Sequence, residues 1–429
     1  MHHEHRPEHD GVPASPQERQ ATAERIAQSF EQPAQAFGIA NATRIDARGI
    51  SPRSWAISEG GVISETGTSA QAFEKAAERH GIPEQNRIDA HGMLLTPGYV
   101  DIHAHGAWGM SFDDGADGIR TARAGHMLHG TTRQVCSLIT NPLDVMEANL
   151  RNVSEAMRTR PDVLGAHLEG PFISPLHKGA HDPACLCDPT PERVAALVEA
   201  ADGCLRQITI APELPHAMRA IDTFAHEGVV CAVGHTDADF ATTERAFDAG
   251  ARLLTPLFNA MPGLHHRAPG PIPAAAEDRR VSIELINDGF HVQDPVLRLA
   301  LGFAPHRTML VTDAMAATDC PDGAYTLGKL DVRVTDGHAR LVSNGAIAGS
   351  TLLLEHAVQR AVLELGMAPA DAVEAATLAP ARVFGFDGPN AVTGAPLGLV
   401  CRGYAADMLL LDPSSWQVRH VWCAGRRQR

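Results

Sequence analysis

His103 and His105 are separated by a single residue in the segment VDIHAH, residues 100–105. Side chains two residues apart on an extended strand project from the same face, so both imidazoles can close on one metal ion. The spacing predicts a metal-dependent hydrolase. In a chain with 23 histidines the same spacing also arises by chance, so the elements around the pair must decide between the two interpretations.

The middle of the chain alternates short apolar segments with longer stretches of helical character. Eight apolar runs can be counted, at residues 98–102, 133–139, 163–168, 207–211, 229–233, 252–255, 281–286 and 308–312. Strands that alternate with helices pair in parallel through right-handed crossovers, and eight repeats predict an α/β fold of the closed (β/α)₈ TIM-barrel type. A doubly wound open sheet is the alternative, although no glycine-rich dinucleotide fingerprint follows the first run.

The two ends of the chain differ from this middle. Residues 1–35 are polar and include His2, His3, His5 and His9, which predicts a disordered or loosely helical tail. Short alternating segments at 36–97 and again at 389–429 predict small strands. We therefore expect both regions to form one small β-sandwich domain beside a barrel at 98–388.

Composition narrows the classes of partner and the location. A formal net charge of −15 and a pI of about 5.8 argue against nucleic acid and against an anionic membrane surface. No apolar run is long enough to cross a bilayer and no secretory-signal pattern is present, so a cytoplasmic location is expected. The eight cysteines are too few and too irregularly placed for a disulfide framework.

Several predicted strands end in residues that can bind a metal. In a (β/α)₈ barrel the carboxyl ends of the strands form one rim, and that rim carries the active site. The residues at or just beyond the strand ends are His103, His105, Glu169, His235, His291 and Asp313. Convergence of six such side chains on one rim favours a metal site over chance. By contrast, His126, His129, His226 and His356 lie in helix-like stretches and are expected at the surface or at helix ends.

Longer motifs make the assignment more specific. The chain contains PGYVDIHAHG at 97–106, HLEGPF at 167–172, KGAH at 178–181, APE at 211–213, VGHT at 233–236, LFNAMP at 257–262, DGFH at 288–291, VTDA at 311–314 and AGSTL at 348–352. With these segments the chain resembles the N-acetylglucosamine-6-phosphate deacetylases of the amidohydrolase superfamily over most of residues 90–385. The resemblance implies hydrolysis of the N-acetyl group of a phosphorylated amino sugar.

The resemblance also implies roles for individual residues. His103, His105 and Glu169 would bind the metal, His235 would be a further ligand, and Asp313 would be both a ligand and the general acid/base. Asn259, Ala260 and His291 would contact the sugar, and Arg267 would bind its phosphate in a homodimer where it reaches the neighbouring subunit's site. The implied substrate contacts also include Ala180, His181, Ala348 and Gly349.

One position departs from the family pattern. The segment before LFNAMP usually carries a metal-binding histidine, and here that position is Pro256, which offers a cation no lone pair. The subsite built on Glu169 and His235 would thus keep only two protein ligands, whereas catalytic zinc usually has three. We therefore predict one ion, held on the His103 and His105 side. Zinc is favoured, and iron or manganese fits the same mixed ligands.

Two alternatives follow from the substitution at Pro256. In the first, the chain would bind sugar phosphates without turnover; in the second, it would remain an amidohydrolase but act on another N-acylated amino sugar. Retention of Asp313, Glu169 and the histidine pair argues against a pure binding protein, which has little need of a general acid/base.

Overall fold

The computed structural model describes Pro13 and residues 15–429. The tail histidines His2, His3, His5 and His9 lie outside the described residues. Residues 16–29 take the helical alternative and form helix α1 (Pro16–Ser29), which begins at a capping box formed by Ser15 and Glu18. Ala23 and Ile26 of this helix are fully buried, because α1 packs its apolar side against the barrel helix α3 (Gly115–Leu128).

Both ends of the chain form one domain, as predicted. Its strands belong to a single eight-stranded sheet rather than to two separate sheets. They are β1 (Phe37–Asp46), β2 (Gly49–Glu59), β3 (Val62–Thr68), β4 (Arg87–Asp89), β5 (Leu94–Pro97), β19 (Met408–Leu411), β20 (Val418–Cys423) and β21 (Arg426–Arg427). Strand β5 pairs with β1 on one side and with β19 on the other, which joins the amino-terminal and carboxyl-terminal parts. Helix α2 (Ala70–Arg79) covers one face.

The middle of the chain forms the predicted barrel. All eight strands are parallel, in the order of the sequence: β6 (Tyr99–Asp101), β9 (Thr131–Ile139), β10 (Val163–Glu169), β11 (Leu205–Ile210), β12 (Val230–Val233), β13 (Leu253–Leu254), β14 (Ser282–Ile286) and β15 (Thr308–Val311). The first and last strands meet just beyond their ends, where Ala104 and Ala314 form a parallel bridge. Each of the eight apolar runs is therefore a barrel strand.

Helices cover the outside of the barrel. They are α3, α4 (Leu143–Met157), α5 (Pro191–Ala201), α6 (Ala217–His226), α7 (Phe240–Asp248), α8 (Pro271–Glu277), α9 (Asp294–Phe303), α10 (Leu354–Leu363), α11 (Pro369–Ala375) and α12 (Leu378–Val383). Aliphatic side chains of strands and helices pack together as the core. Within the described part of the chain, none of these helices has the length and apolar character needed to cross a membrane.

Two small antiparallel elements were not predicted. A hairpin, β7 (Gly106–Ala107) and β8 (Met110–Ser111), follows the histidine pair. A three-stranded sheet, β16 (Gly323–Leu327), β17 (Leu330–Thr335) and β18 (His338–Leu341), follows the eighth barrel strand. Its apolar face packs with Ile139 and Ala180, so the insertion covers part of the carboxyl-terminal rim.

The end domain is fixed to the barrel by a buried ion pair. Arg133 of β9 donates to both carboxylate oxygens of Asp407, at 2.6 and 3.1 Å. A guanidinium and a carboxylate taken out of water together are stabilised when the pairing is bidentate. The pair thus holds the barrel and the sheet in one arrangement.

The helix histidines divide into two groups. His226 is exposed, as expected. His126 and His129 lie at the carboxyl end of α3, where His129 is the C-cap residue, but both side chains are fully buried and not at the surface. The His129 ring lies 2.9 Å from Glu355 and 3.5 Å from Asp319. Burial lowers the pKa of His129, but the hydrogen bonds and charges of Asp319 and Glu355 outweigh it and raise the pKa to about 9.

The free energy of unfolding is expected to fall as the pH rises from 6.5 to above 9. A folded-state pKa of about 9 against an ordinary 6.5 means that protonated His129 stabilises the fold fully below pH 6.5, and this contribution of about 3 kcal/mol disappears above the folded-state pKa. Urea unfolding at several pH values should show a smaller fall for His129→Gln than for the wild type. The exposed His226→Gln is the matched control, and an unchanged fall in His129→Gln would contradict the assignment.

Candidate metal centre

The metal-binding residues predicted from the sequence come together at the carboxyl ends of the barrel strands. His103 and His105 follow β6, Glu169 ends β10, and His235 and Asp313 follow β12 and β15. Except for His103, they line a cavity of about 380 Å³, a size typical of small-molecule sites. His103 lies behind the wall, fully buried, against Glu169.

The paired imidazoles both face the Glu169 carboxylate. His103 Nε2 is 3.3 Å from Oε1, and His105 Nε2 is 3.1 Å from Oε2. Asp313 Oδ1 lies 3.4 Å from His105 Nε2 and 3.7 Å from His103 Nε2. Ligands placed about 2.1 Å from a tetrahedral zinc ion are about 3.4 Å from one another. The spacing of these four side chains therefore fits a divalent cation.

A hydrogen bond from behind sets the orientation of His103. Its Nδ1 lies 2.8 Å from Oε2 of Glu284, a fully buried residue of β14. Gln207 donates to the other oxygen of Glu284 at 2.7 Å, and Thr255 donates its hydroxyl hydrogen to Oε2. Because Nδ1–H is given to Glu284, the lone pair of His103 is on Nε2. That nitrogen is buried and makes no hydrogen bond within the described residues.

The electrostatic field at this point favours a positive charge. Burial lowers the pKa of His105, but hydrogen bonds and charges from Asp313 and Glu169 raise it to about 9. Burial also lowers the pKa of His103, but the charges and hydrogen bonds of Glu169 and Glu284 outweigh burial and raise the pKa well above its usual range. A field that stabilises protons on two buried imidazoles also attracts a divalent cation, which can take the place of those protons. The donor set and its charge therefore fit the metal.

The backbone at two of the site residues is in the left-handed region. His235 has a φ of 48° and Asp313 a φ of 50°, a conformation that costs a non-glycine residue about 1 kcal/mol or more. Two main-chain hydrogen bonds hold Asp313 in this conformation. Its N–H donates to the carbonyl oxygen of His103 at 2.8 Å, and its own carbonyl oxygen accepts from the N–H of Ser350 at 2.7 Å. This conformation turns the two side chains toward the cavity.

Glu169 also has imidazoles on its other side. His235 Nε2 is 3.1 Å from Oε1, and His181 Nε2 is 3.4 Å from Oε2. These three side chains place one ligand atom each within 4.8 Å of the others. The sequence led us to expect two protein ligands here and assigned His181 to substrate contacts alone, whereas the structure places the His181 Nε2 atom beside the same carboxylate. Pro256 lines the same cavity.

Most of the predicted substrate contacts lie on the cavity wall. Ala180, His181, Asn259, Ala260, His291 and Gly349 all line it. Ala348 is fully buried behind the wall, and Arg267 is exposed on the turn closed by the bridge between His265 and Ala268. Among the described residues that line the cavity there is no lysine or arginine.

Sequence reasoning missed the residues that orient the metal-binding side chains. Glu284, Gln207 and Thr255 are fully buried polar residues around His103. A signal was present, since Glu284 is the one charged residue in the run at 281–286, and a carboxylate in the interior of a barrel strand requires a partner. The partner could not be identified, because its position is set by barrel closure.

Comparison with known proteins gives a consistent result. A model of the amidohydrolase family matches residues 94–427. N-acetylgalactosamine-6-phosphate deacetylase of Escherichia coli O157:H7 is 37% identical over 337 residues, which cover 78% of this chain and 87% of the relative. N-acetylglucosamine-6-phosphate deacetylase of Bos taurus is 32% identical, over 77% of this chain and 82% of the relative.

Solved structures agree with these sequence matches. A mutant of N-acetyl-D-glucosamine-6-phosphate deacetylase from Mycobacterium smegmatis, in complex with N-acetyl-D-glucosamine-6-phosphate, is 35% identical, with a TM-score of 0.84 over 92% of this chain and 99% of that one. The N-acetylglucosamine-6-phosphate deacetylase of Pasteurella multocida is 25% identical, with a TM-score of 0.83 over the same shares of the two chains.

Removal of the charge behind His103 should weaken metal binding. In Glu284→Gln the amide still accepts from His103 Nδ1, but the lost negative charge makes Nε2 a poorer donor to a cation. Loss of such a supporting partner lowers metal affinity by about 10- to 100-fold. Competition with a chromogenic chelator measures this change, and the exposed Glu244→Gln is the control. Equal affinity in both variants would contradict the role given to Glu284.

Proposed function

The chain belongs to the amidohydrolase family, and we propose that it removes the acetyl group from N-acetylglucosamine 6-phosphate, giving glucosamine 6-phosphate and acetate. The observation that carries this proposal is the convergence of His103, His105, Glu169 and Asp313 at one cavity floor. These four side chains can hold a divalent cation and supply a proton acceptor beside it. The solved relative with N-acetyl-D-glucosamine-6-phosphate bound supports the choice of substrate.

N-acetylgalactosamine 6-phosphate is the second candidate substrate. The Escherichia coli O157:H7 relative that is 37% identical to this chain is named for that sugar. The two sugars differ only in the configuration at C4, far from the amide that is cleaved. The same catalytic residues therefore serve both, and discrimination depends on the cavity wall.

The chemistry divides between the cation and the protein. His103, His105, Glu169 and Asp313 would hold a divalent ion, which when bound would polarise the amide carbonyl and lower the pKa of water. Zinc is the ion we favour, with iron or manganese as alternatives. Asp313 accepts a proton from the attacking water and passes it to the amine nitrogen as the carbon–nitrogen bond breaks. Acetate and the free amino sugar are the balanced products.

His291 is suited to bind an oxygen of the sugar or of the acyl group. Its Nδ1 lies 2.6 Å from Asp288 Oδ2, which orients the ring toward the cavity. Burial lowers the pKa of His291, but the hydrogen bond and charge of Asp288 outweigh burial and raise it. A higher pKa increases the protonated fraction of the ring at a given pH, and the protonated ring can donate through Nε2 while Nδ1 donates to Asp288.

The phosphate group needs a cation that the cavity wall does not provide. Histidines line the described cavity, but lysine and arginine do not. We assign this role to Arg267, whose planar guanidinium suits a phosphate and whose exposed turn can reach a second subunit. A homodimer with Arg267 at the neighbouring subunit's site follows from this assignment.

A cytoplasmic location fits the proposed reaction. The described cysteines are free thiols, as expected in a reducing compartment.

A binding protein without turnover is disfavoured, because Asp313 lies at the cavity beside the paired imidazoles, where a binder has no use for a proton acceptor.

Metal-loaded wild-type protein should release acetate from N-acetylglucosamine 6-phosphate, and Asp313→Asn should lower kcat by about 10²- to 10⁴-fold. The variant loses the proton acceptor but keeps the size of the side chain. Coupled acetate detection on both N-acetylhexosamine 6-phosphates, and on unphosphorylated N-acetylglucosamine, measures the reaction. Tight binding of the sugar phosphates without release would overturn the proposal, and release from a different amide alone would change the substrate. The exposed Asp222→Asn is the control.

Arg267→Ala is expected to raise KM by about 10- to 100-fold with little change in kcat, because a charge-assisted contact to phosphate is lost. The exposed Arg279→Ala is the matched control. If Arg267 acts on the neighbouring site, mixed dimers of Arg267→Ala and Asp313→Asn subunits contain one intact site. Random mixing should then restore kcat/KM, measured at substrate concentrations well below the wild-type KM, to about a quarter of the wild-type value. No recovery would place Arg267 at its own subunit's site or remove it from the reaction.

A further inference from the structure

The side of Glu169 opposite the histidine pair carries its own group of ligand atoms. We infer that Glu169, His181 and His235 form a second divalent-cation site, with His181 as its third protein ligand. This inference rests on the proposed metal-dependent function and extends it, because it makes the centre binuclear. It is carried by the hydrogen bonds that fix which nitrogen of each ring holds the lone pair.

The Thr140 hydroxyl sets the tautomer of His181. This hydroxyl donates to the main-chain carbonyl of Glu169 at 2.7 Å. A hydroxyl has one hydrogen, and Thr140 uses it in this bond. The Thr140 oxygen lies 2.9 Å from His181 Nδ1 and can therefore only accept a hydrogen bond from that nitrogen. His181 must therefore carry its hydrogen on Nδ1. When the ring is neutral, the lone pair is on Nε2, the atom that faces Glu169 at 3.4 Å.

A main-chain carbonyl sets the tautomer of His235 in the same way. His235 Nδ1 lies 2.9 Å from the carbonyl oxygen of His177, and a carbonyl can only accept. The hydrogen is again on Nδ1 and the lone pair on Nε2, which faces Glu169 Oε1 at 3.1 Å. Imidazoles that bind metals have this arrangement, with the second ring nitrogen donating to a carbonyl or hydroxyl oxygen.

Two lone pairs directed at a carboxylate repel it unless a positive charge lies between them. The charge is either a second proton on each ring or a cation. A divalent ion shared by neutral rings avoids this repulsion. The distances of 3.1 and 3.4 Å match the separation of about 3.4 Å between ligands of a tetrahedral ion.

The loop that carries His181 is built to pass close to His235. Gly179 has a φ of 54°, and a Cβ there would lie 3.0 Å from Cε1 of the His235 ring. Glycine is therefore required for the loop to pack against this ligand and return His181 to Glu169. Pro256 faces the same cavity without an atom that binds metal. The third nitrogen, Nε2 of His181, thus comes from the loop after β10, whereas Pro256 follows β13.

Metal binding to the chelator-stripped full chain tests the inference directly. Calorimetry and the visible spectrum of Co²⁺, followed by elemental analysis for Zn²⁺, should give two ions per wild-type chain and one per His181→Ala chain. His177→Ala is the matched control, because the His177 ring points to Asp237 and its carbonyl remains. This control should keep two ions. Two ions in His181→Ala, or only one in the wild type, would overturn the inference.

A second pair of variants avoids dependence on the folding of His181→Ala. Thr140→Val removes the acceptor for His181 Nδ1 and should weaken the second Co²⁺ by about 10- to 100-fold, whereas Thr140→Ser keeps the hydroxyl and the affinity. Equal affinity in the two variants would overturn the inference. Two bound ions without acetate release would contradict the proposed function alone, and one ion with release would contradict the second site alone.

Discussion

The buried carboxylate of Glu169 is the constraint on which the metal centre depends. It ends β10 at the barrel rim, and imidazoles of His103, His105, His181 and His235 lie within 3.4 Å of its oxygens. A carboxylate removed from water requires positive charge around it. Burial raises its pKa, but the surrounding histidines reverse the effect and hold the pKa well below its usual range. The site is therefore arranged to concentrate cations.

Barrel closure determines the geometry around that carboxylate. The bridge between Ala104 and Ala314 joins the first strand to the last, and it places the histidine pair beside Asp313. Glu284 then fixes the His103 ring from inside the barrel. Because each ligand is held by a strand end or by a buried hydrogen bond, little movement is needed to reach a productive arrangement.

The loss of one histidine does not by itself remove a metal subsite. Pro256 lies just beyond β13, where the family resemblance led us to expect a metal-binding histidine, yet the loop with Gly179 and His181 approaches the same carboxylate. Strand ends fix the position of the rim, whereas loops beyond them vary more freely. A ligand lost at a strand end is thus more easily replaced from a loop than from another strand.

The sequence by itself determined the eight barrel strands, the shared domain of the two chain ends and the side chains that gather at the rim. It could do so because strand alternation and motif spacing are local patterns, and because parallel strands place their carboxyl ends on one side. It missed the packing of α1 on α3, the sheet at 323–341 and the burial of His129, since each depends on contacts between distant parts of the chain. Only the tertiary structure brought His181 to Glu169 and Glu284 to His103. These pairs are separated by 12 and 181 residues in the sequence, so no local pattern links their side chains, and they meet only when the barrel closes and its loops fold over the rim.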